Sequence, residues 1–147
     1  MSPPVPAAIA AALSRHPAMV RSRLLRIRDL VFAVAAETEG VAPLTETLKW
    51  GEPAYLTEAS GTGTTIRLGV SRMAPGDCAV FVNCRTTLVE TFRSHFAADF
   101  AFEGNRGLII AAARPLPEAP LALCLRAALT YHGRRARPLE RRVSPCS

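Results

Sequence analysis

The sequence predicts an α+β fold: an antiparallel sheet of about five strands with helices packed on one face. Three observations lead there. Apolar stripes with helical spacing occur near both ends of the chain. Between them, short segments alternate apolar and polar residues as half-buried strands do. The turns joining those segments are too short for the crossovers that parallel strands require.

Taken in order, Ser2 to Pro6 is a proline-rich lead-in and Ala7 to Arg15 favours a short helix, closed by Pro17. Pro17 can open the next helix, because its missing N–H costs nothing in a first turn. Val20, Leu24, Ile27, Val31 and Val34 then form one stripe, with Arg21, Arg23, Arg28 and Asp29 read as lying off it. Gly40 suits the C-terminal cap. Pro43 to Lys49 reads as a further short helix, with Leu44 and Leu48 one turn apart, stopped by Gly51.

Pro53 to Glu58 reads as the first strand and Ser60 to Gly63 as a turn. Ile66, Leu68 and Val70 alternate with Thr65, Arg67, Gly69 and Ser71 as a half-buried strand. Ala74-Pro75-Gly76-Asp77 is a turn, since Pro presets one central angle and Gly permits the other. Cys78 to Cys84 reads as an interior strand. Thr87 and Glu90 match a capping box and open a helix. Residues 100–110 read as a hairpin around Gly104-Asn105-Arg106-Gly107. Glu118 to His132 is the last helix, with Leu121, Cys124, Leu125, Ala128 and Leu129 inward. The expected organisation is a lead-in and short helix at 1–17, one α+β domain at 18–132 and a basic, disordered tail at 133–147.

The net charge is +6, and the tail carries five arginines against Glu140. Such a tail attracts nucleic acid only weakly and in a salt-dependent way. None of Cys78, Cys84, Cys124 and Cys146 forms a C-x-x-C pair or a zinc-spaced cluster, so reduced thiols in a cytoplasmic protein are expected. Leu24 to Ala36 is broken by Arg26, Arg28 and Asp29, which excludes a membrane span. No basic residues precede the apolar run Ala7 to Leu13, as a signal peptide would require.

The candidate functional surface is Leu48-Lys49-Trp50-Gly51-Glu52-Pro53-Ala54-Tyr55, which holds the only Trp and the only Lys. Trp50 and Tyr55 could wall a shallow pocket with Lys49 and Glu52 as its polar ends. Alternatively, Trp50 packs the helix-to-sheet junction, where its removal would destabilise the fold. Arg67 is either solvated or lines a groove on the face without helices. Metal ligands are sought among His16, His95, His132, the cysteines and the acids, but no stretch presents several acids on one helix face, and hard cations need clustered oxygens. No metal or cofactor is therefore expected. Cys84 or Ser71 with His95 could be imagined as a nucleophile and base, with no orienting acid implied by spacing. Gly61-Thr62-Gly63-Thr64-Thr65 lacks the Gly-Lys-Ser/Thr ending of a phosphate loop.

The corner Lys49-Trp50-Gly51-Glu52-Pro53, with Tyr55 behind it, and the later Arg106-Gly107-Leu108-Ile109-Ile110 followed by Pro115-Leu116-Pro117 resemble the YdhG-like domains. The resemblance spans Val20 to His132. It implies a small bacterial domain with an N-terminal helix, a Trp-Gly-x-Pro corner, a β-meander and a closing helix. One branch of that family is described as a frataxin-like iron chaperone. Sites of that kind depend on an acidic ridge, from which this chain departs. The expectation is a cytoplasmic binding module for a small molecule or a partner protein, with an iron chaperone as the alternative and an enzyme third.

Overall fold

A computed structural model describes residues 2–83 and 85–132. The tail at 133–147 and Cys84 lie outside the described residues, so the expectations placed on them are not addressed. Helix α1 spans Ala7–Leu13 and α2 spans Ala18–Glu37. Strands β1 (Thr45–Lys49), β2 (Glu52–Leu56), β3 (Ile66–Val70) and β4 (Cys78–Phe81) follow. Helix α3 (Leu88–Phe96), the hairpin β5 (Ala101–Glu103) and β6 (Gly107–Ile110), and α4 (Glu118–Leu129) complete the chain.

The six strands form one antiparallel sheet in the order β1-β2-β3-β4-β6-β5. Alternation sorts its two faces. Tyr55, Ile66, Leu68, Cys78, Val80, Leu108 and Ile110 are buried in the main core with Leu24, Ile27 and Val31 of α2 and Leu121, Leu125 and Leu129 of α4. Each fully buried Leu or Ile contributes roughly 1.5–3 kcal/mol. The helical layer is held on that face, and the residues of opposite parity, including Glu52, Arg67, Gly69, Ala79, Phe81 and Ile109, are left on the other. There Ala79, Phe81 and Ile109 form a small second apolar cluster.

One expected element is overturned. Pro43 to Lys49 is not a helix: Thr45–Lys49 is the edge strand β1, paired with β2 from Thr45↔Leu56 to Lys49↔Glu52. The Leu44 and Leu48 pair one helical turn apart was the misleading signal. Thr45 and Thr47 are β-branched, and five cross-strand pairs outweigh one turn of isolated helix. This strand also raises the count from about five to six. The first strand expected at Pro53 to Glu58 is β2, which starts one position earlier and ends two earlier. Thr87 stands at the start of α3 but makes no side-chain cap hydrogen bond, so the capping box does not form.

Candidate functional site

Trp50 and Gly51 are the two-residue loop between β1 and β2. Both have positive φ, 57° and 77°, as tight hairpin turns of this length demand. Glycine adopts that region freely, whereas a tryptophan there is strained. The indole has no compensating burial: Trp50 is 89% exposed. The reading that it packs a helix-to-sheet junction is therefore corrected. The junction does not exist, because the preceding segment is a strand, and the loop projects beyond the sheet. Arg15, just past α1, donates from its guanidinium to the Gly51 carbonyl and braces the loop from behind.

Tyr55 is also corrected. Three residues past Glu52 on the same strand, it points to the other face and is fully buried. Its hydroxyl donates to Glu46 Oε2 at 2.7 Å, and its ring meets Phe32 edge-on at 5.6 Å. Burial pushes its pKa well above the ordinary phenol value, and the Glu46 carboxylate adds to the rise. It belongs to the core and not to the site.

Lys49, Trp50, Glu52 and Arg67 are brought together on the face without helices. The ladder between β2 and β3 joins only Ala54 to Arg67 and Tyr55 to Ile66. Glu52 lies beyond it, opposite Gly69, where a Cβ would collide with the Glu52 carboxylate. The glycine thus makes the space into which Glu52 folds. From there Glu52 Oε1 lies 3.0 Å from Arg67 Nε. Arg67 Nε is nevertheless buried without an aligned hydrogen bond, so the contact is an electrostatic one and not a two-pronged pair. Burial raises the Glu52 pKa, and the opposing pull of Arg67, Arg15, Arg106 and Arg72 does not cancel it.

Arg67 stands directly opposite Phe81 in the β3–β4 ladder. Its guanidinium carbon lies 4.8 Å from the Phe81 ring centroid, and that of Arg106 lies 5.8 Å from the same centroid. Two adjoining depressions, of about 290 and 440 Å³, open around this ring and share Trp50, Arg67, Phe81 and Arg106. Lys49 lines the first, while Glu52 and Arg72 line the second. Sequence reasoning missed Phe81, Arg72 and Arg106. In the sequence Arg106 reads as one residue of a hairpin turn and Phe81 as one of an interior strand. The turn at 74–77 did not give the pairing, because counting outward from it sets residue 67 against 84, whereas the loop closes between Ser71 and Asp77 and sets Arg67 against Phe81.

Several of the groups considered for catalysis or metal binding are buried or engaged elsewhere. The Ser71 hydroxyl donates to Glu103 and accepts from the amides of Met73 and Ala74. His95 Nδ1 is 2.9 Å from the Thr91 carbonyl on its own helix. Burial lifts the thiols of Cys78 to about 11 and of Cys124 to about 12. Glu46 and Glu118 are held by Arg28 and Arg26. Among the described residues, no three of His, Cys, Asp and Glu gather as a metal-holding group. No helix among them is long and apolar enough to cross a membrane.

No family model, curated protein or solved structure matches this chain.

Proposed function

We propose that this chain is a non-catalytic, cytoplasmic binding module of YdhG-like type that takes a small ligand in the cleft bounded by Trp50, Arg67, Phe81 and Arg106. The observation that carries this reading is the placement of Trp50. A large aromatic is kept at positive φ and 89% exposed, at a position where Asn or Gly would satisfy the turn better. Backbone strain without compensating packing is concentrated at functional sites. The indole stands at the rim of a cleft in which a few polar groups converge on a buried ring, the usual makeup of a ligand site. The YdhG-like corner motif falls on the same loop.

A thermal-shift screen of the full chain tests this, using a library of anionic, neutral and cationic small molecules. The expected result is stabilisation by at least one compound, lost when Arg67 or Arg106 is changed to Ala. If no compound of any charge shifts the melting temperature or the Trp50 emission, the binding-module reading is wrong.

A further inference from the structure

The arginines of this chain fall into two groups. Arg15, Arg21, Arg23 and Arg93 donate to backbone carbonyls, while Arg26 and Arg28 hold carboxylates. Among the described residues, the side chains of Lys49, Arg72 and Arg106 form no ion pair and donate no hydrogen bond, yet all three line the cleft. Arg67, the fourth cation there, has the unaligned Glu52 as its charged partner. Arg85, Arg114 and Arg126 are unpaired too and, like Lys49 and Arg72, exposed, but they line neither depression. Four under-neutralised cations, Arg67 and Arg106 half-buried and Lys49 and Arg72 exposed, are thus gathered in one place, with Glu52 as the single carboxylate lining it.

Such an arrangement suits an anionic partner. Partial burial weakens the hydration of Arg67 and Arg106, and their shared ring holds both guanidiniums in place before any ligand arrives. A guanidinium presents a planar fork of donors that matches the oxygens of a carboxylate or phosphate. Trp50 adds an exposed flat ring at the edge of the same depression, a surface on which another ring can stack. The volumes of about 290 and 440 Å³ are those of a ligand of one or two rings.

We propose that the cleft binds a small planar anion: an aromatic or heteroaromatic ring carrying a carboxylate or phosphate, with the anionic group on Arg67, Arg72 and Arg106 and the ring against Trp50. This rests on the binding-module reading and names the chemical class of its ligand. Glu52 then acts as the group that occupies Arg67 while the cleft is empty, and it yields to a stronger acceptor.

The test uses the full chain, whose only tryptophan is Trp50, so intrinsic fluorescence reports from the cleft itself. The probes are two matched pairs, adenosine 5′-monophosphate with adenosine and nicotinate with nicotinamide, together with inorganic phosphate and a single-stranded oligothymidylate. At least one planar anion is expected to change the Trp50 emission saturably, and to bind about tenfold or more tightly than its neutral counterpart and than phosphate. Arg106→Ala should weaken that binding by a similar factor, as should Arg72→Ala, which alters an exposed side chain and serves if the first variant does not fold. The proposal is overturned if the neutral compounds bind as well as the anions, if neither anion binds, or if both arginine variants fold and bind unchanged. Tighter binding of the oligonucleotide than of either small anion also overturns it, in favour of a single-strand groove. A neutral or cationic library compound that depends on Arg67 or Arg106 would remove the anion class and leave the binding module standing. Silence across the whole library would remove both.

Discussion

Arg28 and Glu46 face each other inside the protein as a two-pronged ion pair, Nε to Oε2 at 2.6 Å and Nη2 to Oε1 at 2.9 Å. Their side chains are only 2% and 8% exposed. The pair ties α2 to the edge strand β1, and Tyr55 donates its hydroxyl to the same carboxylate. Phe32 lies under the guanidinium at 4.9 Å, and Arg28 also reaches the Pro4 carbonyl, holding the lead-in across the helix. The hydrogen bond to Glu46 raises the Arg28 pKa further above its ordinary value, so the charge is permanent.

Removing one member of such a pair leaves a buried charge without a partner. Glu46→Ala is therefore expected to cost about 3–5 kcal/mol, a fall in melting temperature on the order of 10 °C for a domain of this size. The double change Arg28→Met with Glu46→Leu should lose much less, because the cavity is filled and no charge is stranded. Denaturant unfolding of the two singles and the double measures this. Equal losses from the double and from Glu46→Ala would show that packing, not charge, holds this corner.

Trp50 reverses what its sequence context suggests. A lone Trp between an apparent helix stop and a strand start reads as a core anchor, whose loss would be severe. Exposed and strained, it should instead be replaceable by Ala within about 0.5 kcal/mol. Trp50→Asn should stabilise the protein by about 1 kcal/mol, because Asn accepts the left-handed region that Trp resists. The native emission should match water-exposed indole. A blue-shifted spectrum, or a large loss of stability in Trp50→Ala, would contradict the exposed hairpin tip.

What could be read from the chain and what could not divides along physical lines. The long stripe from Val20 to Val34 and the alternation around Arg67 were legible because local period and burial agree there. The strand Thr45–Lys49 was not, because its two leucines fit a helical turn as well as a strand and its pairing depends on a partner strand across Trp50-Gly51. Arg28 was read as lying off the apolar stripe, although it is buried beside Ile27 and Val31. Its partner Glu46 lies 18 positions away, and nothing local marks the two as a pair. Of the candidate site, Lys49, Trp50, Glu52 and Arg67 do come together. Tyr55 does not join them, because strand alternation turns it to the core face although it is close to Trp50 in sequence.

The thiols offer a separate check on the core. Cys78 donates to the Val20 carbonyl at 3.9 Å, and Cys124 sits in the stripe of α4. With burial placing them at about 11 and about 12, less than about one in a hundred is thiolate at neutral pH. Iodoacetamide should leave both unmodified in the native protein and label both in denaturant, as read by peptide mass spectrometry. Rapid native labelling of Cys124 would mean that α4 detaches readily from the sheet.

Glu52 gives the cleft a pH dependence whose sign can be worked out. The charged groups that face it are Arg67 on β3, Arg72 just after it, Arg106 in the β5–β6 turn and Arg15 beyond α1. All four favour the carboxylate, but burial favours the acid more strongly, and the folded-state pKa lies above the ordinary 4.5. The folded protein therefore holds this proton more tightly than the unfolded chain does. Its contribution to stability is full below 4.5 and is lost as pH rises through the raised value. Glu52→Gln should flatten that slope. The same proton governs the ligand: a neutral Glu52 no longer competes for Arg67, so an anion should bind more tightly as pH falls through this window. Benzenesulfonate is the right probe, because its own charge is constant there. Calorimetric titration should show tighter binding at the acid end for the native chain, and tight, nearly pH-independent binding for Glu52→Gln. If the variant keeps the native slope, another group titrates in the cleft. If it binds the sulfonate more weakly than the native chain at neutral pH, Glu52 supports the ligand and does not compete with it.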